Sequence, residues 1–235
     1  MSEPRPRVAA IIPVLDEEAA VGPVIRAIPR DLVDAVVAVD GGSSDRTVEM
    51  ARAAGATVVE TGRGYGRACA EGARAATARG AEILLFLDGD GGDRPEAIPA
   101  LLAPLFEGRA DFVIAARTGD SDLGVHQKLA GRLAGFLIGR LWGVFYTDMC
   151  AFRAIGAESL RRLGMRETTY GWNLEMQMRA ARAGLRVLEL PLPAGRRLAG
   201  RSKVAGTVTG SLKAGLRIAA TFLRILCERK TAAPP

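Results

Sequence analysis

The sequence predicts an α/β protein in which helices cover both faces of a mostly parallel central sheet, a three-layer α/β/α arrangement. Short apolar runs suited to buried strands alternate along the chain with stretches of helical spacing, which is the order that βαβ units produce. The 235 residues are 49% hydrophobic and 25% charged, an ordinary globular composition that can build one good core. No linker rich in Pro, Ser or Gly divides the chain, so we predict a single domain over residues 1–235.

The first half of the chain supplies most of the predicted strands. Their apolar runs place strands, in chain order, at residues 7–15, 35–40, 57–61, 83–87 and 112–115. Helices are predicted between these strands at residues 18–29, 46–54 and 68–79, and another from Pro95 onward. The short oxygen side chains of Ser43, Ser44 and Asp45 can satisfy the free N–H groups at the start of the second helix.

The second half contains longer helical patterns. Apolar residues at helical spacing predict a helix across residues 129–144, then a helix over 175–183 and a strand over 187–190. A last helix carries Lys213, Arg217 and Arg224 on its polar side. Its opposite side is an apolar stripe of Leu212, Leu216, Ala219, Leu223 and Leu226. This pattern suits either a core-facing helix with a solvated basic face or a helix that lies in a membrane interface.

Basic residues are concentrated towards the end of the chain. The whole chain carries a net charge of +6, whereas residues 196–230 hold nine Lys or Arg and one acid, a net charge of +8. Such a tail favours anionic partners, for example phosphates or lipid head groups. Aromatic residues make up only 5% of the chain and no nucleic-acid motif is found, so we predict no nucleic-acid partner. Arg132 and Arg140 interrupt the best candidate for a bilayer span.

The cysteines and the start of the sequence bear on the compartment. Three widely spaced cysteines form neither a CxxC pair nor a zinc pattern. No signal peptide is recognised at the start of the sequence. Both features lead us to expect a reducing, cytoplasmic environment.

The stretch Leu85-Phe86-Leu87-Asp88-Gly89-Asp90 ends an apolar run with two aspartates one residue apart. The carboxyl end of a buried strand is where open α/β sheets bind ligands. Two carboxylates placed there repel each other unless a cation lies between them, and hard oxygen ligands suit Mg²⁺ or Mn²⁺, which can hold a pyrophosphate. The alternative is a simple turn, because Asp and Gly are common turn residues.

Two further Gly-rich segments allow more than one interpretation. Asp40 ends the second predicted strand and precedes Gly41-Gly42-Ser43, so it can accept a hydrogen bond from a nucleotide or merely stabilise a turn. Gly62-Arg63-Gly64-Tyr65-Gly66 partly satisfies the dinucleotide fingerprint of dehydrogenases. Its spacing is G-x-G-x-G, however, and it follows the third predicted strand rather than the first, which argues against a dehydrogenase.

The order of the segments is more specific than any one of them. IIPVLDEE, VDGGSSDRT, GRGYGRACAEG and LFLDGDGGDRPE follow one another as in the family-2 glycosyltransferases, which have the GT-A fold, and the chain resembles that family. The resemblance continues through DMCAFR (residues 148–153), Glu175-Met176 with Arg179-Ala180, and RLAGRSK (residues 197–203). The last of these is typical of the branch that resembles dolichol- and polyprenol-phosphate mannosyltransferases. The match spans residues 7 to about 205.

The resemblance implies roles for particular residues on the donor side. Pro13, Asp16 and Glu17 would lie beside the nucleoside, and Asp40 would bond to the base. Asp88 and Asp90 would hold Mg²⁺ or Mn²⁺ on the donor pyrophosphate.

It also implies roles on the acceptor side. Arg117, after the strand at 112–115, would face phosphate at the mouth of the active site, and Asp148 would border the acceptor. Donor or acceptor phosphate would be bound by Arg197, Ser202 and Lys203, with Lys128 and Arg132 as further candidates for the acceptor phosphate. If the acceptor is a hydroxyl, a carboxylate must take its proton; Asp148 is the first choice and Glu175 the second.

Several residues depart from the family pattern. Asp16 replaces the usual Asn, and Gly41 replaces the usual second Asp. Gly92 stands where the lipid-phosphate branch often has a Gln, which removes one potential metal ligand, and Ala151 replaces the usual Gly. These changes leave the transferase interpretation intact. Because of them, the family alone does not fix the identity of the donor or the choice of a polyprenol acceptor.

Taken with its departures, the resemblance implies a metal-dependent inverting transferase that uses a GDP- or UDP-sugar. Residues 7–115 would bind the nucleotide sugar, residues 116–205 would form the acceptor side, and residues 206–235 would form a basic amphipathic helix and tail. The acceptor would be a polyprenyl phosphate or a soluble hydroxyl, and a module that only binds nucleotide sugar is the non-catalytic alternative. With a lipid acceptor, the basic tail would associate peripherally with anionic lipid on the inner face of the membrane.

Overall fold

The computed structural model describes residues 5–119, 124–198 and 219–228. Its centre is a sheet of seven strands in the order β3-β2-β1-β4-β6-β5-β7. In chain order the strands are β1 Val8–Val14, β2 Ala35–Asp40, β3 Thr57–Glu60, β4 Ile83–Phe86, β5 Phe112–Thr118, β6 Arg153–Gly156 and β7 Val187–Pro193. The mostly parallel sheet of the predicted α/β fold class is confirmed.

Seven α-helices flank the sheet within the described ranges. They are α1 Val21–Ala27, α2 Thr47–Ala53, α3 Tyr65–Thr77, α4 Ile98–Phe106, α5 Val125–Trp142, α6 Ala157–Leu163 and α7 Trp172–Arg182. A short 3₁₀ turn, Pro95–Ala97, leads into α4. Residues 219–227 are also helical and are called the C-terminal segment below.

Strand β6 departs from the parallel pattern. It lies between β4 and β5 and pairs antiparallel with both, whereas the remaining strand pairs are parallel. Neither β6 nor α6 was predicted, because β6 spans only four residues and begins with a buried arginine, Arg153. Strand β5 is longer than predicted and continues to Thr118, so Arg117 belongs to the strand rather than following it.

The core lies on both faces of the sheet. Helices α1, α2 and α4 pack on one face, and α3, α6 and α7 pack on the other with Ile138 of α5 and Ile225 of the C-terminal segment. Alternate residues of β4 point to opposite faces, since Leu85 belongs to the first cluster and Leu84 and Phe86 to the second. Burial on both faces explains why this strand is continuously apolar.

The register of the central strands gathers three loops at one edge of the sheet. Val14 at the end of β1 pairs with Asp40 at the end of β2, and Ile11 pairs with Phe86 at the end of β4. The chain leaves all three strands in the same direction. Residues 15–18, 41–46 and 87–94 therefore meet at the carboxyl edge, where open α/β sheets bind ligands.

Two helices expose apolar side chains of the stripe that identified them in the sequence. On α5, Leu129, Leu133 and Phe136 are 67%, 58% and 54% exposed. In the C-terminal segment, Leu223 and Leu226 are exposed while Arg224 points inward to the buried Glu175. The core-facing interpretation of this apolar stripe is therefore wrong for its described part. Across the described ranges, no helix has both the length and the apolar content needed to span a bilayer.

Candidate active site

A cleft of about 560 Å³ opens at the carboxyl edge of the sheet. Its walls come from the end of β1, the start of α3, the residues after β4 and the loop before α7. The lining residues are Pro13, Val14, Leu15, Asp16, Glu17, Gly41, Arg63, Gly64, Tyr65, Ala68, Asp88, Gly89, Asp90, Thr169, Tyr170 and Arg197. The structure therefore brings together Pro13, Asp16, Glu17, Asp88, Asp90 and Arg197, all of which were singled out in the sequence.

Three aspartates crowd the turn that follows β4. Asp90 and Asp93 are buried, and Asp88 is half-buried beside them. The backbone N–H of Asp88 donates to Asp93 Oδ2 at 2.8 Å, and that of Gly92 donates to Asp90 Oδ1 at 2.8 Å. Asp93 received no role from the sequence, because its contribution depends on a backbone turn that carries no motif of its own.

Asp88, Asp90 and Asp93, called the acid cluster below, carry more negative charge than the neighbouring arginines neutralise. Burial, followed by repulsion from Asp93 and Asp90, raises the pKa of Asp88 well above the ordinary value of an aspartate. Burial also raises the pKa of Asp93, and the hydrogen bond from the Asp88 N–H offsets only part of that rise. The guanidinium groups of Arg117 and Arg197 oppose this rise in the pKa of Asp88 without cancelling it. A cation placed here would therefore be attracted by the site.

The donor set of the cluster fits a hard divalent cation. Carboxylate oxygens are the ligands that Mg²⁺ and Mn²⁺ prefer. Within the described residues, however, no three His, Cys, Asp or Glu side chains converge as a ready-made metal cage. The site thus suits an ion that takes its other ligands from a bound diphosphate and water, as Mg²⁺ usually does.

Arg197 lies directly on this cluster. Its Nη1 is 3.1 Å from Asp90 Oδ2, and the N–H of Leu198 donates to the carbonyl oxygen of Asp90 at 2.8 Å. A cationic side chain therefore lines the cleft beside one of the two predicted metal ligands. Ser202 and Lys203, predicted with Arg197 to bind phosphate, lie outside the described residues.

The loops after β1 and β2 form the side of the cleft predicted to hold the nucleoside. Asp16 has a left-handed φ of 47°, a conformation that Asn and Asp tolerate, and its Oδ1 accepts the N–H of Ser44 at 2.7 Å. Asp40 is buried, and its carboxylate accepts the N–H groups of Gly42 and Ser43 and the hydroxyl of Ser43. Asp40 therefore shapes this turn, and its contact with a base stays a prediction.

Arg117 and Asp148 form a bidentate ion pair. Arg117 Nη2 donates to Asp148 Oδ1 at 2.6 Å and Nε donates to Oδ2 at 2.8 Å. Burial opposes ionisation of Asp148, but the Arg117 guanidinium outweighs it and lowers the pKa of that carboxyl. Neither residue lines the cleft as described, and Lys128 lies exposed on α5. The predicted roles of all three remain predictions.

Glu175, the second candidate for a base, is fully buried on α7 and does not line the cleft. Its Oε2 accepts the backbone N–H groups of Arg166 and Glu167 at 2.9 and 2.6 Å. Its Oε1 accepts Arg179 Nε at 2.9 Å and Arg224 Nη2 at 3.0 Å. This geometry favours a structural role, in which Glu175 holds the loop before α7.

The Gly-rich segment before α3 packs against that same loop. A Cβ on Gly66 would lie 2.4 Å from the carbonyl oxygen of Glu167, and one on Gly64 would lie 2.6 Å from that of Thr168. The N–H of Arg67 also donates to the Thr168 oxygen at 3.0 Å. Gly64 and Gly66 therefore permit two backbones to touch, which accounts for these two glycines of the G-x-G-x-G segment without a dinucleotide.

The mostly parallel sheet with one antiparallel strand, and the acidic turn in a cleft at its carboxyl edge, define the class of GT-A glycosyltransferases. Within that class the chain belongs to Glycosyl transferase family 2, whose family model matches residues 9–164. The resemblance seen in the motifs is confirmed.

Curated relatives cover most of the chain. It is 34% identical over 210 residues to an uncharacterised glycosyltransferase of Mycobacterium tuberculosis, covering 87% of this chain and 93% of the relative. It is 33% identical over 221 residues to an undecaprenyl-phosphate mannosyltransferase of Micrococcus luteus, covering 87% and 90%. A dodecaprenyl-phosphate galacturonate synthase of Rhizobium johnstonii is 28% identical over 165 residues, 65% of this chain and 48% of the relative.

Solved structures share the architecture. Glucosyl-3-phosphoglycerate synthase from Mycobacterium tuberculosis superposes with a TM-score of 0.78 at 24% identity, covering 97% of this chain and 82% of that chain. A structure of the same synthase with Mn²⁺, UDP-glucose and phosphoglyceric acid has a TM-score of 0.77, also at 24% identity, covering 96% and 81%. At this identity the likeness establishes the GT-A fold.

Proposed function

We propose that this glycosyltransferase moves a sugar, with inversion, from a nucleotide-diphospho-sugar to a polyprenyl phosphate at the inner surface of the cytoplasmic membrane. Residues 7–115 form the donor half in this proposal and residues 116–205 the acceptor half. The observation that carries it is the acid cluster in the cleft, where Asp88 and Asp90 face Arg197. The aspartates can bind a cation, and Arg197 can bind a phosphate.

The donor binds, in this proposal, across the carboxyl edge of the sheet. The nucleoside lies against Pro13, Asp16 and Glu17, beside the turn that Asp40 holds, and Asp88 and Asp90 hold Mg²⁺ or Mn²⁺. The bound ion supplies charge neutralisation for the diphosphate leaving group. The solved synthase that binds Mn²⁺ with UDP-glucose supports a divalent metal and a nucleotide sugar.

Basic side chains complete the phosphate site. Arg197 already lies in the cleft. Ser202 and Lys203, which follow it in the same family motif and lie outside the described residues, are proposed as further phosphate ligands. Arg117 and Lys128 are proposed to face acceptor phosphate. Donors fixed in place before the reaction stabilise charge that develops on a leaving group.

The two candidate bases, Asp148 and Glu175, are poorly placed to deprotonate a hydroxyl, which favours a phosphate acceptor. A lipid phosphate is already anionic and needs no general base, whereas a hydroxyl must lose a proton. Asp148 is a weak base, because the paired Arg117 lowers its pKa, and both oxygens of Glu175 already accept hydrogen bonds. The undecaprenyl- and dodecaprenyl-phosphate enzymes among the relatives support the same acceptor class.

The exposed side of α5 suits a lipid surface. Leu129, Leu133 and Phe136 project from this helix together with exposed Lys128 and Arg132. A helix with an apolar face flanked by basic residues binds anionic bilayers at the level of the head groups. We therefore propose peripheral attachment through α5, assisted by the basic C-terminal tail.

The test is an assay of transfer with matched acceptors. The full chain is incubated with UDP- and GDP-sugars and Mn²⁺ or Mg²⁺, with undecaprenyl phosphate in liposomes or with 3-phosphoglycerate as a soluble hydroxyl acceptor. We expect one nucleoside diphosphate to be released only with the lipid, and Asp90→Asn to lower the rate about a hundredfold or more. Release only with 3-phosphoglycerate would contradict the lipid acceptor, and nucleotide binding without release would make the chain a binding module.

A further inference from the structure

The C-terminal segment reaches the active-site region through buried polar contacts. Thr221 Oγ1 donates to Glu167 Oε2 at 2.7 Å, and both side chains are almost fully buried. One helical turn on, Arg224 Nη2 donates to Glu175 Oε1 at 3.0 Å and lies 4.0 Å from Glu167 Oε2. Two residues of this segment therefore hold two carboxylates that are far from it in sequence.

The other oxygen of each carboxylate holds the loop before α7. Glu167 Oε1 accepts the N–H and the hydroxyl of Thr169 at 3.0 and 2.7 Å. Glu175 Oε2 accepts the N–H groups of Arg166 and Glu167. Each acid thus bridges the C-terminal segment on one side and the backbone of residues 166–169 on the other.

That loop is a wall of the cleft. Thr169 and Tyr170 line the cleft together with the end of β1. The backbone of Glu167 and Thr168 touches Gly66 and Gly64 so closely that a single Cβ would not fit. A displacement of residues 166–170 would therefore change the shape of the cleft.

Arg224 also balances the charge of this network. Glu167 and Glu175 are both buried, and Arg224 is the guanidinium that lies within 4.0 Å of both in the described contacts. Removal of Arg224 leaves Glu175 paired with Arg179 at 2.9 Å but takes away the hydrogen bond that ties Glu175 to the C-terminal segment. Loss of a partner from a buried pair is more damaging than the loss of an exposed pair. The loop would be expected to shift or to admit water.

We propose that Thr221 and Arg224 are positioning residues, which set the acceptor side of the cleft by docking the C-terminal segment onto Glu167 and Glu175. The proposal rests on the proposed function, because it treats Thr169 and Tyr170 as the acceptor wall. The ends of β1, β2 and β4, which are proposed to hold the donor, form no described hydrogen bond with Glu167, Glu175, Thr221 or Arg224. Contact between the loop and the donor half is made at the start of α3, by residues 64–67.

The experiment compares Arg224→Met and Thr221→Val with Arg161→Met in the full-length chain. Arg161 forms an exposed pair with Glu158 and serves as the matched control. We expect faster hydrogen exchange in residues 166–170 and a KM for undecaprenyl phosphate about tenfold higher in the two test variants. Binding of Mn²⁺ with UDP or GDP should not change, and Arg224→Lys should restore part of the acceptor KM.

Three outcomes would overturn the inference. These are unaltered exchange in the loop, an equal loss of donor and acceptor binding, or the same effect from Arg161→Met. If Arg224→Met does not fold, Thr221→Val alone provides the comparison, because it removes one hydroxyl and no charge. Failure of the proposed function would instead show as the absence of transfer in the unmodified chain, and the exchange experiment would still decide whether the segment holds the loop.

Discussion

Asp88, Asp90 and Asp93 repel one another in a partly closed space, and this repulsion explains much of the behaviour expected of the site. Burial raises the pKa of Asp88 and of Asp93, and Arg197 Nη1 lies 3.1 Å from Asp90 Oδ2. Protons, Arg197 and a divalent ion are therefore alternative ways to relieve the same excess of negative charge. Each can be displaced by the others.

The affinity for Mn²⁺ should accordingly rise with pH across neutrality. The pKa values of Asp88 and Asp93 are raised in the metal-free protein, so a proton must leave before either carboxylate is available to an ion. Calorimetric titration of Mn²⁺ with UDP at several pH values, in buffers of different ionisation enthalpy, would measure both the affinity and the protons released. An affinity that is flat over this range, with no proton release, would contradict the prediction.

Substitution of Arg197 should have opposite effects on metal and nucleotide. Arg197→Met removes a cation that competes for Asp90, so Mn²⁺ alone should bind more tightly. It also removes a phosphate ligand, so Mn²⁺ with UDP or GDP should bind about tenfold more weakly. Titration calorimetry with and without nucleotide measures both constants. Arg63→Met, at the exposed rim of the same cleft, is the control, and a change of the same sign in both constants would count against this account.

At the scale of elements, the cleft depends on close contact between the Gly-rich start of α3 and the loop before α7. Gly66 and Gly64 have no room for a Cβ, whereas one on Gly62 would lie 3.6 Å from the end of a flexible arginine. The two backbones are in direct contact, so this joint cannot relax by a rotamer change.

Gly66→Ala should therefore destabilise the protein, and Gly62→Ala should not. The new methyl group would lie 2.4 Å from the carbonyl oxygen of Glu167, and such overpacking costs about 1–3 kcal/mol. Urea unfolding of the two variants measures this difference. We also expect weaker binding of undecaprenyl phosphate by Gly66→Ala, since residues 166–170 must move. Equal stability of the two alanine variants would show that the joint is not tight.

The strands β1 to β5 could be predicted because each is an apolar run that ends at polar or Gly-rich residues. Strand β6 could not, since Arg153 is buried through contacts formed only in the fold: it donates to the carbonyl oxygens of Cys150 and Asn173 and lies over the ring of Phe112. Helical periodicity located α5 and the C-terminal segment, but it does not tell which face a neighbour will cover. In the C-terminal segment the apolar Leu223 is exposed to solvent, and the charged Arg224 faces the buried Glu175.

The residues of the candidate site also fall into two groups, those that the sequence indicates and those that only the structure shows. Asp88 and Asp90 could be found from the sequence, because a local spacing of two acids after a strand already indicates their chemistry. Asp93 could not, since its role lies in accepting the backbone N–H of Asp88. The contact between Glu167 and Thr221 joins residues 54 apart, and no local pattern encodes it. Resemblance to the family supplied roles for Asp148 and Glu175, whereas only the structure shows how completely their oxygens are engaged.

At the scale of the whole molecule, the two faces of the sheet differ in what covers them. On one face, α1, α2 and α4 bury their apolar sides against the sheet. On the other face, α5 contributes Ile138 to the core and the C-terminal segment contributes Ile225. Several large apolar side chains of both helices are exposed to solvent. Contiguous exposed apolar patches commonly mark protein or membrane interaction sites. The same face carries α7 and the loop that walls the cleft, so a surface bound there would lie near the acceptor side.

Replacement of the outer side chains of α5 should therefore weaken binding to anionic liposomes without unfolding the protein. Leu133→Glu combined with Phe136→Glu removes two half-exposed apolar groups and adds two negative charges that anionic head groups repel. Ala100→Glu with Arg79→Gln, both at exposed positions away from α5, matches the change in charge. Co-sedimentation at low salt should show loss of liposome binding for the α5 variant alone, and circular dichroism should show that both variants are folded. Equal sedimentation of the unmodified chain with and without anionic lipid would refute the membrane proposal, whatever the variants do.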